Sequence, residues 1–210
     1  MAEDEFRRAP NFTATLREAS QFYAAKGNVY DTMRRLTRHL DEERIPYALI
    51  GGMALAAHGF VRMTQDVDIL MTTDGLAAFH ARCVGRGYVP AFNGARKSFR
   101  DAATNVRIEI ITSGEYPGDG KPKPVAYPDP STVSADHEGT RVVTLEKLIE
   151  LKLASGMTAS HRLRDLADVQ DLITTLGLPS DLSERLDPFV SDKYRELWQA
   201  AQSAKRDATQ

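Results

Sequence analysis

Hydrophobic positions recur with different periods along the chain, and each change of period predicts a change of element. Val29, Met33, Leu36 and Leu40 fall three and four apart, which predicts an amphipathic helix with one apolar face, ended by Pro46. Residues 47–50 read as a short apolar strand that runs directly into Gly51-Gly52. The alanine- and leucine-rich stretch 53–60 predicts a helix. Residues 67–71 predict a buried strand with Asp66 and Asp68 set into it, and residues 75–84 a further helix closed by Gly85 and Gly87. Residues 97–101 and 106–112 are strand candidates joined by the turn-like Ala102-Ala103-Thr104-Asn105.

The pattern then breaks. Residues 116–130 hold Pro117, Pro122, Pro124, Pro128 and Pro130 together with Gly118 and Gly120. Proline fixes φ and removes ladder donors, so this stretch is expected to be a long ordered loop wrapping the sheet edge, with a substrate lid as the alternative. Residues 141–143 read as a short strand and Thr144 as an N-cap. Helices are expected over 145–155, 163–176 and 192–206, with a shorter one near Leu182. The predicted class is α+β, a mixed sheet flanked by helices with a C-terminal helical subdomain. The expected division is a leader over 1–25 with a short helix from Thr13, a core over 26–143, and the helical subdomain over 144–207.

Composition narrows the function classes. Hydrophobic residues at 42% and charged residues at 27% match an ordinary globular chain. The single cysteine, Cys83, excludes an internal disulfide and is expected to fill apolar space in a helix. No apolar run approaches the roughly 20 residues of a membrane span, and the acidic N-terminus is unlike a signal peptide, so no membrane partner and a cytoplasmic location are expected. A net charge of −2 means that any polyanion must be met by a local patch. None of His39, His58, His80, His137 and His161 pairs with another His or Cys at zinc-ligand spacing, and His58 reads as packed or capping. The absence of Gly-x-Ser-x-Gly and P-loop patterns excludes a serine hydrolase of that type and a P-loop kinase.

The chemistry concentrates between Ile50 and Ile69. Residues two apart on a strand share a face, so Asp66 and Asp68 project into one small volume. Two buried like charges are costly unless a cation lies between them, and an all-oxygen site suits Mg²⁺. Gly51-Gly52, between a strand and a helix, lets the backbone and the helix N-terminus approach a polyanion. A triphosphate could then lie between the glycine turn and metal held by Asp66 and Asp68.

Ile50-Gly51-Gly52 followed by Asp66-Val67-Asp68-Ile69 resembles the signature of the nucleotidyltransferase superfamily related to DNA polymerase β. Within it, Gly51-Gly52-Met53-Ala54-Leu55, then Gly59, Arg62, Thr64 and Asp66-Val67-Asp68, resembles the AbiEii/AbiGii type toxin group, the toxin halves of bacterial toxin–antitoxin and phage-defence pairs. The resemblance covers roughly residues 30–175. It implies a twisted mixed sheet, a two-metal site taking Mg²⁺ or Mn²⁺, nucleotidyl transfer from a nucleoside triphosphate, and a cognate antitoxin. Met53 stands where many relatives carry Ser or Thr, which leaves terminal-phosphate contacts to backbone N–H groups.

The superfamily needs a third carboxylate. Glu109, with Ile108 and Ile110 on the opposite strand face, is the candidate, and Asp101 is the competitor. Such a group would deprotonate the attacking hydroxyl or hold the activating metal. Lys152, followed by Arg162, Arg164-Asp165 and Asp168, resembles the distal lysine and Arg/Lys-Asp-x-x-Asp motifs of the toxin group. That implies Lys152 on nucleotide phosphate with Asp165 or Asp168 fixing it; a surface lysine beside an interhelix salt bridge is the alternative. Arg62 either neutralises the triphosphate or pairs with an acid. The expected catalytic and metal set is thus Asp66, Asp68 and Glu109, and the nucleotide set Gly51, Gly52, Arg62, Thr64, Lys152 and Asp168.

Sequence leaves the acceptor open among tRNA, a protein hydroxyl and an aminoglycoside-type small molecule, with a non-catalytic nucleotide-binding domain as a further alternative. The tRNA expectation rests on Arg141, Lys147, Lys152, Arg162 and Arg164, with Arg96, Lys97, Arg100 and Arg107, forming a basic rim at the metal site. Solvated helix faces balanced by Glu146, Glu150, Asp165 and Asp168 are the alternative.

Overall fold

The computed structural model describes residues 27–207. The expected leader and the helix from Thr13 lie outside the described residues. Helix α1 (Asn28–Glu42) buries Val29, Met33, Leu36 and Leu40 as its spacing requires. It ends four residues before Pro46. Arg44 turns to φ 54, and the N–H groups of Glu43, Arg44 and Ile45 bond back to His39, Asp41 and Leu40 carbonyls. Strand β1 (Tyr47–Leu49) leads into helix α2 (Gly51–Ala57), so the glycine pair forms the first turn of the helix rather than a turn before it. Strand β2 (Asp66–Met71) and helix α3 (Thr73–Arg82) follow, the latter capped by the Thr72 hydroxyl, which accepts from the Gly75 N–H at 2.9 Å.

Strands β3 (Tyr88–Pro90), β4 (Ser98–Asp101) and β5 (Arg107–Thr112) come next, then a short helix α4 (Pro130–Val133) and strands β6 (Ser134–His137) and β7 (Thr140–Val143). The chain closes with helices α5 (Leu145–Thr158), α6 (Leu163–Leu176) and α7 (Pro188–Asp207), with 3₁₀ turns at Ser160–Arg162 and Ser180–Glu184. Thr144 occupies the N-cap position of α5 without a side-chain hydrogen bond. Among the described residues, no helix is long and apolar enough to cross a membrane.

The architecture is α+β: a seven-stranded mixed sheet in the order β3-β4-β5-β2-β1-β7-β6, flanked by helices. β1 runs antiparallel to β2 and parallel to β7, and β2 runs parallel to β5. Sequence pattern missed β3, β6 and α4. β6 is a half-buried edge strand with no apolar alternation, so its state is set by antiparallel pairing with β7. β3 pairs antiparallel with β4, and its one buried residue is Tyr88, packed on Phe79 with ring centroids 5.5 Å apart.

The alternation in the central strands decides where function can sit. Val67, Ile69 and Met71 on β2, with Ile108 and Ile110 on β5, are buried on one face of the sheet. Asp66, Asp68, Arg107 and Glu109 occupy the other. The proline-rich segment is irregular, as expected, and its first part packs on α5. Gly118 lies so close to the last turns of α5 that an added Cβ would stand 2.2 Å from Thr158 Oγ1 and 2.7 Å from the Ser155 carbonyl oxygen.

Asp101 proves to be a structural acid. It accepts from Arg35 Nε at 2.8 Å and from the Ala103 and Thr104 N–H groups at 2.8 and 3.0 Å, closing the β4–β5 turn. Burial pushes its carboxyl up, but the Arg35 and backbone hydrogen bonds outweigh this and hold it below the usual aspartate range. The stabilisation is therefore present above the unfolded-state pKa and is lost as pH falls through the lower folded one. Asp101→Asn should cost about 1–3 kcal/mol at pH 7. Urea midpoints should show that cost shrinking as pH falls toward 3.

Candidate active site

The parallel register of β2 and β5 sets Asp68 beside Glu109 and Asp66 beside Arg107. One small area of sheet thus carries three carboxylates and one guanidinium. Asp68 is the most confined of the acids: burial above all, then Asp66 and Glu109, push its pKa up to about 7, while Lys152 and Arg162 pull it down. Arg107 forms an ion pair with Glu109 and reaches Ser98 Oγ at 3.2 Å. The ion pair is made at the buried Oε1 of Glu109.

The glycine pair has a steric reason. Gly51 adopts φ +63, and a Cβ there would lie 2.0 Å from Asp68 Oδ2. A Cβ on Gly52 would lie 2.8 Å from the Thr64 Cβ. Backbone therefore touches the carboxylate cluster where any side chain would displace it. The Ile50 N–H donates to the Asp68 carbonyl at 3.1 Å, which fixes the end of β1 against β2. Thr64 is buried, and its hydroxyl donates to Asp66 Oδ1 at 2.8 Å. α2 is only seven residues long, so the site's character comes from its carboxylates more than from a helix dipole.

Lys152 and Arg62 meet at Asp168. Arg62 donates from Nε to Oδ1 at 2.7 Å and from Nη2 to Oδ2 at 3.0 Å, and Lys152 Nζ reaches Oδ2 at 2.7 Å. Lys152 also donates to Asp165 Oδ1 at 2.9 Å, whose other oxygen accepts from Ser155 Oγ at 2.6 Å. Lys152 is buried, not a surface lysine. Asp168, 2% exposed, lies behind the cleft and spends both oxygens on these two cations. It is a positioning group for Arg62 and Lys152, which do line the cleft.

The cleft encloses about 750 Å³, within the range of small-molecule sites, and brings together Gly51, Gly52, Arg62, Thr64, Asp66, Asp68, Glu109 and Lys152. Of the nine cations expected at a rim, Arg107, Lys152, Arg162 and Arg164 reach it. Lys97 pairs with Glu115, Lys147 with Glu150, and Arg100 bonds the Asn105 carbonyl. Arg162 and Arg164 are exposed, with no ion pair or side-chain hydrogen bond among the described residues. His58 satisfies itself on the Val143 carbonyl at 2.7 Å, and Cys83 is buried. Pattern reading missed Tyr127, Ser155 and Ile111 in the cleft. Ile111 was within reach, being two residues past Glu109 on the same strand face.

Three carboxylates on one face of adjacent strands form a hard oxygen donor set, so in kind they fit Mg²⁺. Among the described residues, no group of three or more His, Cys, Asp or Glu side chains is gathered to hold a metal ion. Asp66 is engaged by Thr64 and Glu109 by Arg107, and taking up a cation requires exchange of those contacts.

Two measurements follow from this electrostatic arrangement. The raised Asp68 pKa means that the folded state holds a proton the unfolded chain releases. Stability of the metal-free protein should then fall as pH rises from the ordinary 3.8 to about 7. Asp68→Asn should abolish that slope and raise Tm at pH 8 by roughly 10 °C, read by thermal melts in chelator. Asp168→Asn should cost about 3–5 kcal/mol in denaturant unfolding, because it weakens the pairing of two enclosed cations at once.

No family model matches the chain, and no curated protein matches it. Solved structures do. A Thermotoga maritima protein that carries the nucleotidyltransferase name aligns at 16% identity over 65% of this chain and 89% of its own, with a TM-score of 0.49. JHP933 from Helicobacter pylori aligns at 18% identity over 86% and 91%, with a TM-score of 0.47. ANT(2'')-Ia, solved in complex with adenylyl-2''-tobramycin, aligns at 13% identity over 83% and 97%, with a TM-score of 0.49.

Proposed function

We propose that the chain is a metal-dependent nucleotidyltransferase that moves a nucleoside monophosphate from a nucleoside triphosphate to a hydroxyl acceptor. The observation that carries this reading is the register of Asp66 and Asp68 with Glu109 on adjacent parallel strands, against the bare backbone of Gly51. Asp66, Asp68 and Glu109 would hold Mg²⁺ or Mn²⁺. When bound, the ion supplies Lewis-acid polarisation of the phosphoryl oxygens and neutralises the charge on departing pyrophosphate. The acceptor oxygen attacks the α-phosphorus, the bond to the bridging oxygen of the β-phosphate breaks, and Glu109 takes the hydroxyl proton. Lys152 and Arg62 face the cleft with orientations fixed by Asp165 and Asp168, suited to the phosphate chain.

Arg162 and Arg164, cleft cations without ion pairs among the described residues, support a polyanionic acceptor, an RNA 3′ end such as that of tRNA. A toxin role with a cognate antitoxin belongs to the same reading, through the motif resemblance. The competing acceptors are a protein hydroxyl and a cationic small molecule of the aminoglycoside type.

The test is purified protein with each labelled triphosphate, Mg²⁺, and total tRNA, lysate protein or an aminoglycoside panel in parallel. Label should enter tRNA, and Asp66→Asn and Asp68→Asn should each reduce it to background while retaining the fold by circular dichroism. Near-normal transfer by either variant overturns the active-site assignment. Label confined to protein or to the small molecules overturns the tRNA acceptor alone. Arg162→Glu with Arg164→Glu should weaken tRNA labelling and flatten its salt dependence.

A further inference from the structure

The cleft has a second character beyond its carboxylates. Along β5 the residue after Glu109 on the same face is Ile111, about 6.6 Å further on. On α5, Leu148 and Leu151 turn toward the same space, on the stripe that carries Lys152 and Ser155. Tyr127 faces them from the proline-rich segment between β5 and α4.

That segment is tied down at several points. The Tyr127 N–H donates to the Glu115 carbonyl, and the Gly114 N–H to the Tyr127 carbonyl, both at 2.8 Å. Lys123 Nζ reaches the Pro117 carbonyl and Asp119 Oδ1 at 2.5 Å and Thr158 Oγ1 at 3.1 Å. Gly118 sits flush on the end of α5. Tyr127 is therefore presented on a fixed backbone, yet its hydroxyl has no hydrogen-bond partner among the described residues. Tyr127 is half-buried, and its hydroxyl opens to the cleft. Burial, then Asp165, push its pKa up to about 12, so the phenol stays a neutral donor.

We propose that Tyr127, with Ile111, Leu148 and Leu151, seats the nucleobase of the triphosphate, the ring stacking on the tyrosine face. This rests on the nucleotidyltransferase reading and adds to it a subsite for a planar heterocycle. It gives the proline-rich segment its function: it is a fixed arm that holds one aromatic ring over the cleft. Grip on the nucleoside then resides in Tyr127 and its apolar wall, and affinity for the phosphates in the charged end.

Calorimetric titration with Mg²⁺ separates the two ends, using a non-hydrolysable nucleoside triphosphate and inorganic tripolyphosphate as paired ligands. Wild type should bind the nucleotide more tightly than tripolyphosphate. Tyr127→Leu should lose about tenfold for the nucleotide, the size of one base–aromatic stack. Tyr127→Phe should stay within about threefold, since it keeps the ring. Tripolyphosphate should bind all three alike. Should Tyr127→Leu not fold, Tyr127→Met, which keeps bulk without a ring, takes its place. Undiminished nucleotide binding by the ringless variant, or an equal loss for tripolyphosphate, overturns the subsite and leaves the enzyme reading standing. Wild type that binds neither ligand overturns the enzyme reading and the subsite with it.

Discussion

Like-charge crowding on two adjacent strands is the constraint around which this molecule is arranged. A sheet whose other face is apolar and buried carries Asp66, Asp68 and Glu109 within one patch. At full ionisation such a patch repels itself and is poorly hydrated. Its neighbours share the compensation. Thr64 donates to one acid and Arg107 ion-pairs another. The third, Asp68, has no ion pair among the described residues; it feels Lys152 and Arg162 only through space and retains its proton up to about pH 7. The glycine pair, the short helix behind it and the tight β1–β2 join all serve to leave that carboxylate room.

Cations in the cleft divide by commitment. Arg62 and Lys152 are bound to buried acids and hold fixed positions, which is the property a phosphate clamp needs, at the cost of some net attraction. Arg107 answers a carboxylate of its own strand. Arg162 and Arg164 carry charge outward from the corner between α5 and α6. A nearly neutral protein can thus present a positive mouth without a basic composition.

Helix α6 was legible in sequence to the residue, because its period and its terminal glycine agree. That Asp66, Asp68 and Glu109 share one face of the sheet was legible because strand alternation is a strict period of two and the acids interrupt apolar runs. The start of α2 at Gly51 was not, since helix propensity disfavours glycine and only the close approach to Asp68 explains it there. Tyr127 was hidden for another reason. Its segment has no period, and its place follows from anchors at Lys123 and Gly118 whose partners lie more than 30 residues away. The nine-cation rim failed in a similar way: a count of charges along a chain says nothing about which of them nearby acids have already claimed.

The junction at Asp168 has a consequence for how this chain can change over generations. Arg62 comes from the connection between α2 and β2, Lys152 from α5 and Asp168 from α6, and one carboxylate serves both cations. Loss of any one leaves enclosed charge unbalanced, so single neutral drift at these positions is closed off. Replacement has to come in concert, and divergent descendants should keep all three or exchange all three together. The stretch from residue 62 to residue 168 is thereby coupled as one unit, which opposes fission of the chain or recombination that swaps the helices onto another sheet.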